Sequence, residues 1–264
     1  DYGVKAVVGT GPFKFKEWIP GEKLVIVRNE DYHWPPSFIK NPGPPYLEKI
    51  VYKFKPEAAT RVLELEAGNF DILEGVPYAD VKRLGNRQDI KIFTKLRWSV
   101  VYLGFNLENK LLKDLRIRKA ISYGISRKPY VNIVLRGYGW PAYTMLPFPL
   151  KANHPQAKKM RAKNNPQKAK ELLTEAGWTD SDGDGIVDKN GKPLRFKLVT
   201  TTTTEFKQVA EIFQAQMKQI GIDIKVEAYD VPTQERFLTE GKYDICTQAV
   251  SYTHLRAHET SLHL

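Results

Sequence analysis

Residues 194–230 read LRFKLVTTTTTEFKQVAEIFQAQMKQIGIDIKVEAYD, and three local patterns follow one another within them. LRFKLVTT is rich in apolar and β-branched residues and reads as a strand. In EFKQVAEIFQAQMKQIG, Val209, Ile212, Phe213, Met217 and Ile220 recur at helical spacing, and Gly221 supplies the stop. IDIKVEAYD then alternates Ile222, Ile224 and Val226 with Asp223, Lys225 and Glu227, the period of a half-buried strand. Strand, helix and strand in alternation define an α/β architecture.

The same alternation extends outward. PQKAKELLTEAG places Pro166 near a first helical position, Ala169, Leu172, Leu173 and Ala176 on one stripe, and Gly177 at the end. DLRIRKAISYGI is a helix, and Ser126 is expected to cap a second one in RKPYVNIVLRG. SVVYLGFN is almost wholly apolar or small and is expected to be a strand buried on both faces. Nearer the N-terminus, Phe13 and Phe15 alternate with Lys14 and Lys16, and Pro20-Gly21 turns the chain into KLVIVRN, giving a β-hairpin. LEKIVYKFKP is a third strand. FDILEGV and IKIFTKL are expected to be short strands, and YADVKRLG a short helix. Five prolines among residues 34–47 make that stretch a rigid loop. One pattern recurs: the residues from Pro56 to Asp71 and from Pro232 to Asp244 each run proline, helix, glycine, aromatic, Asp, which suggests two units built alike.

Composition narrows the function. The chain has 264 residues, 42% hydrophobic and 27% charged, as expected of a protein with a packed core. No run of about 18 apolar residues occurs, and DYGVKAVVGTGPF does not have the form of a signal peptide. The single cysteine, Cys246, precludes an intrachain disulfide. The net charge of +11 raises nucleic-acid binding as a class. Yet the basic residues are dispersed among 30 acidic ones, and the densest run, KKMRAKNNPQKAK, has no aromatic side chain to stack on bases, so a solvated basic face is the better reading.

No catalytic constellation is found: no G-x-S-x-G, Walker loop, H-E-x-x-H or C-x-x-C. GTGPF opens a strand and so cradles no phosphate. His33 and His154 stand alone in proline-rich loops. The sharpest motif is TDSDGDGIVDKNG, in which Asp180, Asp182, Asp184 and Asp188 occupy positions 1, 3, 5 and 9 of a calcium-loop pattern and Gly185 its tight-turn position. Position 12 is Gly191 where a bidentate Glu belongs, and a strand follows in place of a helix. A weak calcium site and an Asx-rich turn satisfied by its own backbone are both open. Two further sets suit a ligand. Thr201, Thr202, Thr203 and Thr204, with Thr200, stand between a strand and the start of a helix, where hydroxyls and free N–H groups hold polar ligands. The aromatics Trp98, Tyr102, Phe105, Tyr138 and Trp140 form either cleft lining or core.

In order, VGTGPFKFKEWIPGEKLVIVRNEDY, YLGFN, DLRIRKAISYGISRKPYVNIVLRGYG, NPQKAKELLTEAGW, DGDGIVDKNGKPLRF, VAEIFQAQMKQIGIDIKVE and RFLTEGKYDI resemble the blocks of the peptide/nickel-type solute-binding proteins of ABC transporters, family 5 of the extracellular solute-binding proteins. The resemblance covers residues 8 to about 249. It implies an α/β, periplasmic-binding-protein-like type II fold with two lobes and mixed sheets, here incomplete. It implies a periplasmic or surface-anchored location, no catalytic residues, no cofactor unless calcium, and a membrane permease as partner. Peptides, nickel chelates, sugars and opines are the solutes of such scaffolds. Residues 1–100 would be the later part of the first lobe, 101–106 a strand approaching the hinge, and 107–249 most of the second lobe. Tyr102, Phe105, Asn106, Tyr138, Trp140 and Thr201–Thr204 are the expected ligand contacts. The last residues, 250–264, with His254, His258 and His263, have no place in the family and are similar to adapter-derived tails on truncated gene models, so a foreign tail is expected there in preference to a histidine metal site. The alternative of another class is a calcium-dependent structural or adhesion module built on Asp180–Asp188.

Overall fold

The computed structural model describes residues 7–95, 99–147, 156, 159 and 162–251. The chain divides into two compact units, Asp1–Arg83 and Leu84–Leu264.

In the first unit, β1 (Phe13–Ile19), β2 (Lys23–Arg28) and β3 (Lys49–Lys53) form an antiparallel sheet in that order. Gly21, at φ +75°, makes the first turn, and a register shift between Phe15 and Glu17 marks a bulge in β1. The polar run after β2 locks the hairpin. Asn29, nearly buried, donates from its backbone N–H to Pro12 O (2.9 Å) and from Nδ2 to Gly11 O (3.3 Å). Its Oδ1 accepts from the Asp31 N–H. Trp34 Nε1 donates to Thr10 O at 2.9 Å. Helix α1 (Ala58–Glu66) buries Val62, while Leu63 is exposed. Helix α2 (Tyr78–Gly85) spans the division between the units. FDILEGV and IKIFTKL, expected as strands, form none among the described residues. A strand exists only where a neighbour completes its hydrogen bonds, and Ile72 and Phe93 are largely exposed.

In the second unit, β4 (Ser99–Phe105) precedes α3 (Leu115–Gly124), a π-helical turn (Tyr130–Val134) and α4 (Pro166–Glu175). The short strands β5 (Asp188–Lys189) and β6 (Lys192–Pro193) follow. Then come β7 (Arg195–Thr201), α5 (Thr204–Gln219), β8 (Asp223–Tyr229), α6 (Val231–Thr239) and β9 (Ile245–Ser251). The main sheet has the order β4-β9-β7-β8, with β7 parallel to both β8 and β9, and β4 antiparallel to β9. Caps explain where its helices start: Asp114, Asn165 and Asp230 accept from the backbone N–H groups of Arg116, Lys168 and Thr233. Gly177 and Gly221, both at positive φ, end α4 and α5. The core lies between the sheet and α3, α4 and α5, with Leu173, Phe196, Leu198, Phe213, Met217 and Ile224 at its centre.

Three expectations are corrected here. β4 is an edge strand with Val101 half exposed, so it is not buried on both faces. The helix expected in RKPYVNIVLRG is present as a short π-helix, but Pro129 stands at its N-cap in place of Ser126, whose backbone N–H meets Gln216. Val250 and Ser251, assigned to the tail, complete β9 opposite Val100 and Ser99. The remainder of that tail, with its three histidines, lies outside the described residues, as do Trp98 and His154. Among the described residues, no helix is long and apolar enough to cross a membrane.

Candidate functional site

Two parallel strands, β7 and β8, end together at Thr201 and Tyr229, and the Thr202 N–H donates to Tyr229 O at 2.8 Å. In α/β sheets this carboxyl edge is where ligands gather, because the loops there are free of strand pairing. The threonine run divides at it. Thr200 is fully buried, and its Oγ1 shares a hydrogen bond of 2.6 Å with Thr247 Oγ1 of β9. Gln234 of α6, also buried, donates from Nε2 to Thr247 O at 2.9 Å. Thr201 is buried as well, its hydroxyl 2.8 Å from that of Thr203. Thr202, Thr203 and Thr204 are exposed at the start of α5, where Thr203 makes no side-chain cap bond. The first turn of α5 therefore presents N–H groups and hydroxyls together, with Glu205 beside them. On the neighbouring strand, Tyr229 donates to Glu227, which Lys225 also grips. The Lys225 hydrogen bond holds the Glu227 carboxyl below its ordinary range, and the bond to Glu227 raises the Tyr229 phenol.

The structure does not gather all the expected contact residues. Tyr102 lies midway along β4, opposite Gln248. Phe105 and Asn106 stand at the far end of that strand, where β9 begins. Phe105 packs against the core. Asn106 donates from Nδ2 to Gly241 O and Tyr243 O, and its Oδ1 accepts from the Glu108 N–H. Beside it, the Asp244 carboxylate accepts from the Lys197 N–H and from Asn109 Nδ2, each at 2.7 Å. That end of the sheet is a knot of turns with its polar groups engaged. Tyr138 and Trp140 follow the π-turn, 45% and 57% exposed, so they are not core. Sequence reasoning missed Gln216, Gln234 and Thr247. The available signal was a polar residue at an apolar stripe position, as with Gln216 among Phe213, Met217 and Ile220.

The acidic loop is compact. Asp180, Asp182 and Asp184 bring one carboxylate oxygen each within 4.8 Å of the others, and all three side chains are exposed. Asp180 accepts from the N–H groups of Gly183 and Gly185, Asp182 from that of Asp184, and Asp184 from that of Ile186. Asp188 is not part of this group and accepts from Ser181 N–H and Oγ at 2.9 and 2.7 Å. A shallow depression of about 550 Å³ opens beside Asp184, at the end of β8 remote from Thr202.

The Ser181 hydroxyl, then its N–H, hold the Asp188 carboxyl below the ordinary aspartate value of 3.8. A depressed folded-state pKa stabilises the fold above the ordinary value, and that contribution is lost as pH falls through the lowered one. A carboxyl NMR titration should therefore place the Asp188 midpoint below 3.8, and Ser181→Ala should move it upward. A midpoint at or above the ordinary value would mean that these bonds are not made in solution.

This architecture is that of the type II periplasmic binding proteins, in part. The oligopeptide-binding protein AppA from Bacillus subtilis, solved with a nonapeptide, superposes with a TM-score of 0.73 at 34% identity, over 93% of this chain and 48% of that one. NikA from Brucella suis, solved with Fe(III)-EDTA, gives 0.78 at 29%, over 96% and 50%. In sequence, AppA of Bacillus subtilis (strain 168) is 38% identical over 229 residues, 86% of this chain and 40% of its own length. The nickel-binding periplasmic protein of Escherichia coli (strain K12) is 33% identical over 231 residues, 85% of this chain and 42% of its own length. The family model for bacterial extracellular solute-binding proteins, family 5 (middle region), matches residues 1–262, and the chain belongs to that family. It spans less than half the length of these two curated relatives. The family consists of binding proteins rather than enzymes.

Proposed function

We propose that the protein is the substrate-binding component of an ABC importer, binding a peptide or related solute outside the cytoplasmic membrane for delivery to a permease. The observation that carries this is the family match over residues 1–262, supported by relatives whose names specify oligopeptide and nickel binding. Its location is periplasmic or surface-anchored. The contact residues of this reading are Thr201–Thr204, Tyr102, Phe105, Asn106, Tyr138 and Trp140. Thr202–Thr204, Tyr138 and Trp140 are the strongest of them, because they are exposed at the start of α5 and after the π-turn while Asn106 is committed to a turn. The same reading takes residues 1–100 and 107–249 as parts of successive lobes and 101–106 as the strand approaching the hinge. Ligand drives closure of such a protein through contacts made better in the closed state than in the open one. Tryptophan fluorescence titration against a tripeptide library and against nickel–histidine tests it. Saturable binding of a library member is expected, and no response to either probe would count against it.

Calcium is the subordinate reading for Asp180, Asp182 and Asp184, favoured by the convergence of their carboxylates; Asp188 completes the sequence motif but is turned toward Ser181. Without a twelfth-position acid, the dissociation constant should be weaker than about 0.1 mM. Calorimetry returning a micromolar value would show a full site.

A further inference from the structure

Gln216 lies on the apolar face of α5, 7% exposed, between Phe213 and Ile220. A buried carboxamide is costly unless its donors and acceptor find partners. Its Nε2 donates to Ser126 O at 3.0 Å, while its Oε1 accepts from the Ser126 N–H and from the Tyr130 hydroxyl, each at 3.2 Å. It thus pairs with both backbone groups of one residue, as a neighbouring strand would, and with the first side chain of the π-turn. From there the bonding runs on. The Leu135 N–H donates to Tyr130 O, the Gly137 N–H to Val131 O, and the Tyr138 N–H to Leu135 O. Arg136, at φ +47°, adopts a backbone conformation that few non-glycine residues hold without support. Gly139 lies against the Leu135 side chain, which would have to shift to admit a Cβ there. Gln216 of α5 therefore holds the start of the π-turn, from which the bonding continues into the aromatic segment.

We propose that Gln216 is a positioning residue that sets the conformation of the π-turn and, through it, the presentation of Tyr138 and Trp140. The proposal rests on the reading that these aromatics meet the solute. It also gives α5 a double part. Its N-terminus carries Thr202–Thr204, and about 18 Å further along its axis, at 1.5 Å per residue, Gln216 fixes the aromatic segment. One rigid helix then sets the spacing between the two candidate contact segments of this unit.

The test compares the full chain with Gln216→Leu, which keeps the shape and loses all three hydrogen bonds, and with Gln216→Glu, which keeps the acceptor for Ser126 and Tyr130. Hydrogen exchange is read residue by residue. In Gln216→Leu the Leu135, Gly137 and Tyr138 amides should exchange about tenfold faster, the equivalent of losing one to two buried hydrogen bonds, while β7 and β8 keep their protection. Gln216→Glu should restore most of it. Unchanged exchange at those three amides in Gln216→Leu would overturn the proposal. If that variant loses protection throughout, Tyr130→Phe removes one bond of the set and should still quicken the same amides alone; no change there overturns the proposal. Trialanine affinity separates the two readings. Retained affinity in Trp140→Ala sinks the contact reading and leaves the exchange result to decide the role of Gln216. Weakened affinity in Trp140→Ala with none lost in Gln216→Leu overturns the positioning role itself.

Discussion

Phe213→Ala should destabilise the unit formed by residues 84–264 by about 3–5 kcal/mol, the range for removing a buried aromatic ring. Phe213 is fully buried and sits on α5 where Val209, Ala210 and Met217 share its face. The cost has two parts. The ring loses its transfer out of water, and a cavity is left because α5 is held by the strands on either side of it and has little freedom to collapse. Domains of ordinary stability have about 5–15 kcal/mol to lose, so this one change removes a large share. Urea denaturation followed by far-UV circular dichroism measures it. A loss below about 1 kcal/mol would mean that α5 does not pack on the sheet as described.

Gly221→Val should come next, at roughly 2–5 kcal/mol, from left-handed backbone strain and steric overlap together. Gly221 has φ +85°, and a Cβ there would stand 2.8 Å from Val187 Cγ1 and 3.3 Å from Val187 N. The second neighbour is backbone and has little room to move, since the Val187 N–H is bound to Gly221 O at 2.8 Å. Gly183 is the control: its φ is +80°, but nothing lies within 4 Å of its would-be Cβ. The same substitution there should carry only the backbone part, about 1–2 kcal/mol. Equal losses at the two sites would show that the packing of Gly221 against the acidic loop contributes nothing.

Much of the fold was legible because its decisive signals are local. The stripe of α5, the alternation of β8 and the glycines after α4 and α5 each lie within a few residues of what they specify. β4 was misjudged because an apolar run does not say how many neighbours a strand will have. Its place at a sheet edge is decided by pairing with β9, far along the chain. Ile72 and Phe93 carry strand-like surroundings and form no strand, for the same reason. The candidate site was less legible. Thr202–Thr204 could be placed because a polar run before a helical stripe marks an N-terminus. Thr200 reads identically in sequence, yet it is buried against Thr247, a contact that only the sheet order creates. Gln216 and Gln234 are single polar residues among apolar ones, and their partners, Ser126 and Thr247, are not visible from their own helices. The acidic loop was found because its spacing is its structure, although Asp188 serves Ser181 rather than the other three carboxylates.

The order β4-β9-β7-β8 also has a consequence in time. β7 and β8 are joined by a single helix and are complete soon after they are made. β4 is not, since the contacts that anchor its far end, from Asn106 to Gly241 and from Asn109 to Asp244, each span 135 residues. On a ribosome adding roughly 5–20 residues per second, β4 waits about 7 to 30 s for its partner strand. For that interval an apolar strand has no mate, long enough for a chaperone to engage it or for a second nascent chain to pair with it. Wherever the chain folds, β4 finds its place only once β9 is available, and for a chain folding as it is made, slowing translation downstream of β4 would lengthen that wait.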